Sequence, residues 1–438
     1  MTRAGTAPAA GAASPATPPA DGAARRVRRA VGGLDGRRLA PLVRRALGCP
    51  TLDVVDWRHA QIAYLDTNPV SLGLFRLSGT ARDGATDGAT AVPWSLILKV
   101  VRSPSGVALR DGRRLPVGYG VDPAHDQYWR REVHAYQSRL LAALPAGLAA
   151  PRCLAVEEDR AGAVWLWLED VPDDYTARGE SWPLARYGLA ARHFGRFNGT
   201  YLAGRPLPED AWLSRGWLRQ WVTHRRLSEA QRALLAAPGT WAHPMVHRLA
   251  PEPLGERLLR SEDRIGALLG AVDRLPRAVS HLDAYSQNLL SRRTPVGSEE
   301  TVAIDWAFVG IAPVGVESGQ LSVATALRGG VPGADVRRLD RHVFEGYLAG
   351  LREAGWSGDG RQARLGHTAC AALRFRFVVA LTIATALDER RYPQLEQRFG
   401  RPVEALMEER GHLARYMLDS GDEAEELARP TAPTRVAE

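Results

Sequence analysis

Hydropathy patterning changes period once along this 438-residue chain, and that change narrows the folds open to it. Between residues 56 and 170 the apolar residues fall in short runs rich in β-branched, aliphatic and aromatic side chains: QIAYLD, VSLGLFRLSG, WSLILKVV, PRCLAVEE and AVWLWLED. Runs of that length and composition predict strands. RDGATDGAT, residues 82–90, repeats an Asp-Gly turn signal between two of them, so a hairpin is expected there. DQYWRREVHAYQSRLLAAL, residues 126–144, interrupts the series with Tyr128, Val133, Tyr136, Leu140 and Leu144 near one helical face. Beyond about residue 180 helical spacing dominates, as in LARYGLAARHFGRFNGTYLAG and TACAALRFRFVVALTIATALDERR. The exception is 278–310, AVSHLDAYSQNLLSRRTPVGSEETVAIDWAFVG, where two short apolar runs flank a glycine-containing turn. Strands first and helices afterwards predict an α+β, bilobal chain: a small strand-rich N-lobe, a large helical C-lobe and a cleft between them. The length also calls for two lobes, because a single core stops growing well below this size.

The expected boundaries are a basic, disordered Ala/Pro/Arg-rich tail at 1–45, an N-terminal lobe at 46–170, a helical lobe at 171–425 and a disordered tail at 426–438. Within the first of these, GRRLAPLVRRALG carries Leu39, Leu42, Val43 and Leu47 at helical spacing, so a short amphipathic helix is expected to lead into the folded body. The formal charge of +8 and the pI near 9.7 suggest a polyanion partner, but their distribution does not. Residues 1–48 hold nine arginines and two aspartates, a net of +7, which leaves the body near neutrality. A neutral body is no footprint for a nucleic acid, and none is expected as partner. The apolar run FVVALTIATAL, 377–387, is too short for a membrane span and reads as a buried helix. Three scattered cysteines, Cys49, Cys153 and Cys370, form no metal or disulfide pattern, and the basic Ala/Pro start lacks the apolar segment of a signal peptide. A cytoplasmic protein without a membrane partner is the expectation; the oligomeric state is open.

Of the 57 cationic side chains, 56 are arginine; the single lysine is Lys99, on the predicted strand WSLILKVV. A lysine ammonium is a compact point charge, whereas a guanidinium is a wide planar fork. A lysine kept where every other cation is arginine suits a slot that only the compact charge fits, such as one between phosphate oxygens and a carboxylate. HLDAYSQN then sets His281, Asp283 and Asn288 in the pattern H-x-D-x-x-x-x-N, and VAIDW supplies Asp305 after a short apolar run. Two carboxylates and an amide oxygen are the hard donors that Mg²⁺ prefers. The alternative for HLDAYSQN is an Asx-rich helix-capping loop, but asparagine is scarce here, at 68, 198 and 288 only. His193, His247 and His367 have no spacing partners and read as structural. Trp217 and Trp221, four apart, share a helical face that is either core or the wall of an acceptor pocket.

The H-x-D-x-x-x-x-N…Asp pattern, with a lysine on an early strand and a glutamate on the following helix, resembles the aminoglycoside phosphotransferase and choline kinase superfamily, whose fold is protein-kinase-like. The resemblance spans roughly residues 56–420. It implies that Asp283 is the catalytic base, that Asn288 and Asp305 bind Mg²⁺, and that Lys99 binds the phosphates of ATP with Glu132 paired to it. It implies that adenine meets the segment LEDVP, with Glu169 and Val171, and that His281 buttresses the loop. Backbone amides near Ser71 to Gly73 would cover the phosphates, although NPVSLGLFRLSG lacks a full G-x-G-x-x-G. The family's D-P-x-x-D-L-A pattern is altered to APVGVESGQLSVA, where Glu317 stands in for the usual acid.

The implied activity is ATP- and Mg²⁺-dependent transfer of the γ-phosphate to a hydroxyl of a small molecule: an aminoglycoside-like antibiotic, a sugar or another metabolite. The alternative is a non-catalytic kinase-fold module that binds nucleotide for regulation. A protein kinase is disfavoured because no activation segment ending in A-P-E is recognisable. An aminoglycoside acceptor would need an acidic pocket, for which Glu317, Asp388 and Glu389 are candidates.

Overall fold

The computed structural model describes residues 22–63, 68–85, 90–109, 112–252 and 254–429. The chain divides into two compact units, Met1–Ser103 with Cys153–Asp170, and Pro104–Arg152 with Val171–Glu438. Its class is α+β, a strand-rich unit and a larger helical one.

The first unit opens with helices α1 (Gly22–Gly32) and α2 (Gly36–Leu47). Strands β1 (Leu52–Gln61), β2 (Ser71–Asp83), β3 (Val92–Val101), β4 (Cys153–Glu158) and β5 (Val164–Glu169) then form one sheet in the order β1-β2-β3-β5-β4, antiparallel throughout. A strand turns alternate side chains to opposite faces. On β3, Trp94, Leu96, Leu98 and Val100 are buried on one face, with Ser95, Ile97 and Lys99 half-buried on the other. The buried face, with Phe75 and Leu77 of β2 and Trp167 of β5, packs against Val27 and Val31 of α1 and Leu39, Leu42 and Val43 of α2.

This corrects the expectation of a disordered tail at 1–45. Gly22–Gly32 and Gly36–Leu47 are helices, the second being the amphipathic helix expected at GRRLAPLVRRALG, because their apolar stripe closes the sheet, and the Asp35 side chain caps α2 by accepting from the Arg38 N–H. The remainder of that expected tail, and of the one at 426–438 beyond the last described helix, lies outside the described residues. The first strand is Leu52–Gln61 rather than QIAYLD. It is an edge strand exposed over most of its length, so hydropathy barely marks it. The strands flanking RDGATDGAT do pair antiparallel, Ala81 opposite Val92; turn residues 86–89 lie outside the described residues.

The second unit contains α3 (Arg131–Gln137), seven residues rather than the long helix expected over 126–144. Arg131 explains why this segment groups with the helical unit instead of the strand-rich lobe at 46–170. Its fully buried guanidinium donates to five carbonyls, those of Pro123, His125, Asp126, Trp212 and Ala307, which fold residues 123–130 into turns around it. The helical lobe expected at 171–425 therefore also includes Pro104–Arg152, and its last helix runs to Ala428.

The helices that matter for the site are α4 (Leu184–Leu202), α5 (Trp217–Thr223), α6 (Gly255–Asp273), α7 (Val316–Leu327), α8 (Val336–Glu353), α9 (Gly360–Leu373), α10 (Arg376–Ala386) and α11 (Val403–Ala428). Helices α4 and α8 approach closely because glycines line the seam: a Cβ on Gly195 or Gly350 would strike the carbonyl of Tyr347 or Arg192. Four short strands, β6 (Arg277–Ser280), β7 (Leu289–Arg293), β8 (Glu299–Ala303) and β9 (Gly310–Pro313), hold the loops of interest. β7 and β8, the two apolar runs flanking the glycine-containing turn, form a hairpin with Gly297 in its turn, and β9 pairs antiparallel with β6. The apolar stretch Gly360–Ala386 is long and apolar enough to cross a membrane, but it is two helices broken at Arg374–Phe375 and mostly buried in protein.

Candidate active site

Strand register brings the motif together. β6 ends at Ser280, opposite Gly310 of β9, so the loops carrying Asp283 and Asp305 leave the same end of this small ribbon. In the β7–β8 hairpin Leu289 faces Ala303, and the next step places Asn288 beside Ile304, whose N–H donates to the Asn288 carbonyl at 3.0 Å. Asp305 is the following residue.

Two non-glycine residues among those described have positive φ, Leu282 at 66° and Asp305 at 60°. Left-handed backbone costs an L-residue roughly 1–2 kcal/mol, and it persists only where the surroundings enforce it. Here they do. Glu317, near the start of α7, accepts from the N–H groups of His281 (2.5 Å) and Leu282 (3.1 Å). His281 is fully buried, packs edge-to-face on Trp306 at 4.5 Å, accepts the Asp283 N–H on Nδ1 (3.2 Å) and bonds the Ile304 carbonyl through Nε2 (3.0 Å). With Nδ1 an acceptor, Nε2 must carry the proton in the neutral ring. This one imidazole thus ties the Asp283 turn to the strand end before Asp305. Glu317 sits in the first turn of α7, which is preceded by Gly315, whose φ of 89° and close approach to the Ala363 carbonyl leave no room for a Cβ.

The Asn288 amide donates to the Asp283 carbonyl (3.0 Å) and carboxylate (3.1 Å), so its oxygen, which takes no hydrogen bond from the described residues, is left as an acceptor. Gln320 of α7 donates to the other Asp283 oxygen at 3.4 Å and accepts from Arg374 Nε at 3.2 Å. The Arg374 guanidinium lies 4.0 Å from Asp283, whose side chain keeps 16% exposure. Burial and then the Asp305 charge push the Asp283 carboxyl up to about 7, against the pull of Arg374, Arg328 and the Asn288 amide. Burial pushes Glu317 up to about 8, opposed by the two N–H donors. Repelling carboxylates beside an unengaged amide oxygen suit a hard divalent cation. Asn288, Asp305 and Asp283 fit that role. No cluster of three or more His, Cys, Asp or Glu suited to a metal occurs among the described residues, so any such ion would depend on Asn288 and on oxygens outside the protein.

In the first unit, Lys99 lies between Leu74 of β2 and Leu166 of β5, on the sheet face opposite α1 and α2. Ser71 and Gly73 sit across from Val101 and Val100, flanking a bulge at Leu72, and Glu169 pairs with Leu96. The same face holds a network the sequence did not reveal: Asp170 accepts from Arg76 (2.7 Å) and Ser95 (2.5 Å). Val171 and Glu132 belong to the second unit, where both are buried. Thus Asp283, Asn288 and Asp305 form one group, and Lys99, Ser71, Gly73 and Glu169 share one sheet.

The acidic pocket does not form from its three candidates. Glu317 is an interior anchor for the loop backbone, while Asp388 is paired with its neighbour Arg390 at the surface and Glu389 is exposed. Two of the isolated histidines, His193 and His367, make interior contacts, while His247 is exposed. His193 meets Thr301, and buried His367 bridges Ser318 (2.9 Å) and Asp340 (2.5 Å). Asp340 borders a cavity of about 360 Å³ whose charges are largely paired, as in Arg364 with Asp340 and Glu423. Arg374 and Gln320 escaped sequence reading; the only signal for Arg374 is that LRFRF breaks an otherwise apolar run.

Solved structures of small-molecule kinases are similar to the chain over most of its length. An amicoumacin kinase in complex with AMP-PNP and Ca²⁺ is 14% identical, with TM-score 0.43, covering 83% of this chain and 88% of its own. An aminoglycoside phosphotransferase from Alicyclobacillus acidocaldarius is 14% identical, with TM-score 0.42 and coverages of 84% and 92%. An ethanolamine kinase from Plasmodium vivax is 10% identical, with TM-score 0.41 and coverages of 85% and 81%. No protein-family model and no curated protein matches the sequence.

Proposed function

We propose that the protein is a phosphotransferase that moves the γ-phosphoryl group of ATP to a hydroxyl of a small molecule. The observation that carries this is the Asp283 turn: a carboxylate with its pKa raised to about 7, held by Asn288, Gln320, His281 and Glu317. A general base works best when its pKa lies near the operating pH. In the proposed step the acceptor oxygen bonds to the γ-phosphorus as the bond to the β-phosphate oxygen breaks. The hydroxyl proton passes to Asp283, and ADP leaves with the bridging oxygen. Asn288 and Asp305 would hold Mg²⁺, which when bound neutralises charge on the phosphates. Lys99, with Glu132, is assigned the nucleotide phosphates from the sequence pattern, as are Ser71 and Gly73; Glu169 and Val171 are assigned the adenine. Rate enhancement in such a site comes from positioning and electrostatics.

The test is a phosphate-transfer screen with purified protein, Mg·ATP and a panel of hydroxylated metabolites and antibiotics. ATP-dependent phosphorylation that is lost in Asp283→Ala, with nucleotide binding retained, supports the assignment. Mg·ATP binding without transfer to any acceptor or to water would instead favour a non-catalytic nucleotide-binding module.

A further inference from the structure

Arg374 is buried deeper than its charge warrants. Its side chain is 2% exposed and stacks 3.1 Å from the Trp221 ring centroid, 4.6 Å from Trp217 and 4.7 Å from Phe375. Among the described residues one terminal nitrogen meets no hydrogen-bond partner, the other lies 4.0 Å from Asp283, and only Nε is satisfied, by Gln320. An unpaired buried donor on a cation costs more than one on a neutral group. Such a group persists in a native structure where a ligand, ion or water completes it.

Two further guanidiniums lie near it. Arg225 lies 3.4 Å from the same Trp221 ring, and both Arg225 and Arg328 act on Arg374 as like charges. Arg328 also acts on Asp283. Opposing them are Asp283, the Asp305 carboxylate that acts on it and, for Arg225, Asp126. Glu317 is turned to the loop backbone. An aromatic cluster beside a catalytic carboxylate could attract a substrate ammonium through its ring faces. Here the protein's own guanidiniums take those faces.

Resting on the kinase reading above, we infer that the acceptor hydroxyl compound is an anion, carboxylate or phosphate, whose charged group is bound by Arg374 beside Asp283. Amine-bearing acceptors are disfavoured by the same guanidiniums. Arg374 thereby sets acceptor specificity.

The test uses the full chain with Mg²⁺ and a three-carbon series that shares hydroxyl groups and differs in charge: glycerate, glycerol 3-phosphate, glycerol and 3-amino-1,2-propanediol. Binding is measured by calorimetry with a non-hydrolysable ATP analogue, and transfer with ATP. Expected is a preference of about tenfold or more for one of the two anions over the amine, the better anion distinguishing carboxylate from phosphate. Arg374→Gln should remove that preference chiefly through KM for the anion, and Arg374→Lys should restore part of it. A merely structural Arg374 would instead lower kcat for every acceptor alike and leave the charge preference in place. Tighter binding of the amine, or anion binding unaffected by Arg374→Gln, overturns the inference while leaving the kinase reading intact. Anion binding lost in Arg374→Gln but without transfer to any member upholds the anion site. Failure of the nucleotide analogue itself to bind sinks the kinase reading.

Discussion

Replacing Asp283 with asparagine should abolish phosphate transfer and yet stabilise the metal-free protein at neutral and alkaline pH. The Asp283 carboxyl moves from an ordinary value of 3.8 to about 7 in the folded chain. Because the folded pKa is the higher one, the native state holds its proton through a range in which the unfolded chain has released it. Stability therefore falls as pH rises from about 4 to about 7, by up to about 1.4 kcal/mol per pH unit, and is level above that. The ceiling is roughly 4 kcal/mol, and with 16% of the side chain open to water we expect roughly 2–3 kcal/mol at pH 8. Asparagine keeps an oxygen for the Asn288 amide and carries no charge to desolvate. Thermal unfolding of both proteins in EDTA, from pH 4 to pH 9, is the assay. The gain in the variant should be absent at pH 4, grow to pH 7 and then flatten. Added Mg²⁺ should stabilise the parent protein more than the variant. A difference that does not depend on pH, or one largest in acid, would show that Asp283 is not held against its own charge.

Lys99→Arg should lower kcat/KM by about a hundredfold or more, measured as ADP release with a working acceptor, because the wider fork misplaces the charge; normal kinetics would remove the geometric account of the single lysine. Glu317→Gln keeps one acceptor for the 281–282 amides and loses the other, so kcat should fall about tenfold or more while nucleotide binding by calorimetry changes little. Asp283 must be ionised to take a proton, so kcat/KM should rise with pH through its pKa, and raising Mg²⁺ should move that limb below pH 7; a limb indifferent to Mg²⁺ would separate the ion from Asp283. Arg131→Met strips five carbonyls of their donor and should cost roughly 3–5 kcal/mol in urea unfolding; a near-neutral change would mean residues 123–130 hold their turns unaided.

Much of this molecule is legible in one dimension because its signals are local. Short runs of β-branched, aliphatic and aromatic residues mark β2, β3 and β5, and the Asp-Gly repeat sits between strands that pair. Asp283, Asn288 and Asp305 could be named because five chain positions and one short hairpin are enough to join them. Edge strand β1 and helix α1 were misjudged for the opposite reason, whereas the apolar spacing of α2 did announce a helix. The arginines of α1 and the exposed positions of β1 look like solvated chain, and only docking of Val27 and Val31 onto the sheet makes α1 structure. The grouping of Glu132 with the helical unit likewise depends on where the Arg131 guanidinium finds carbonyls as distant in sequence as Ala307.

The features that bear most on chemistry are the ones that sequence spacing does not encode. Glu317 lies 35 residues from the N–H of Leu282, and Gln320 lies 54 residues from Arg374. Nothing local requires those pairs to meet. Residue types and short-range order determined the chain's class, most strands of its first sheet and which side chains are proposed to hold a metal-bound phosphate. Tertiary packing alone decided that Asp283 is dry enough to hold a proton near neutrality, that its backbone turn is left-handed, and that its aromatic neighbours already carry a cation. Burial and charge depend on everything that surrounds a group, and most of what surrounds Asp283 comes from elsewhere in the sequence.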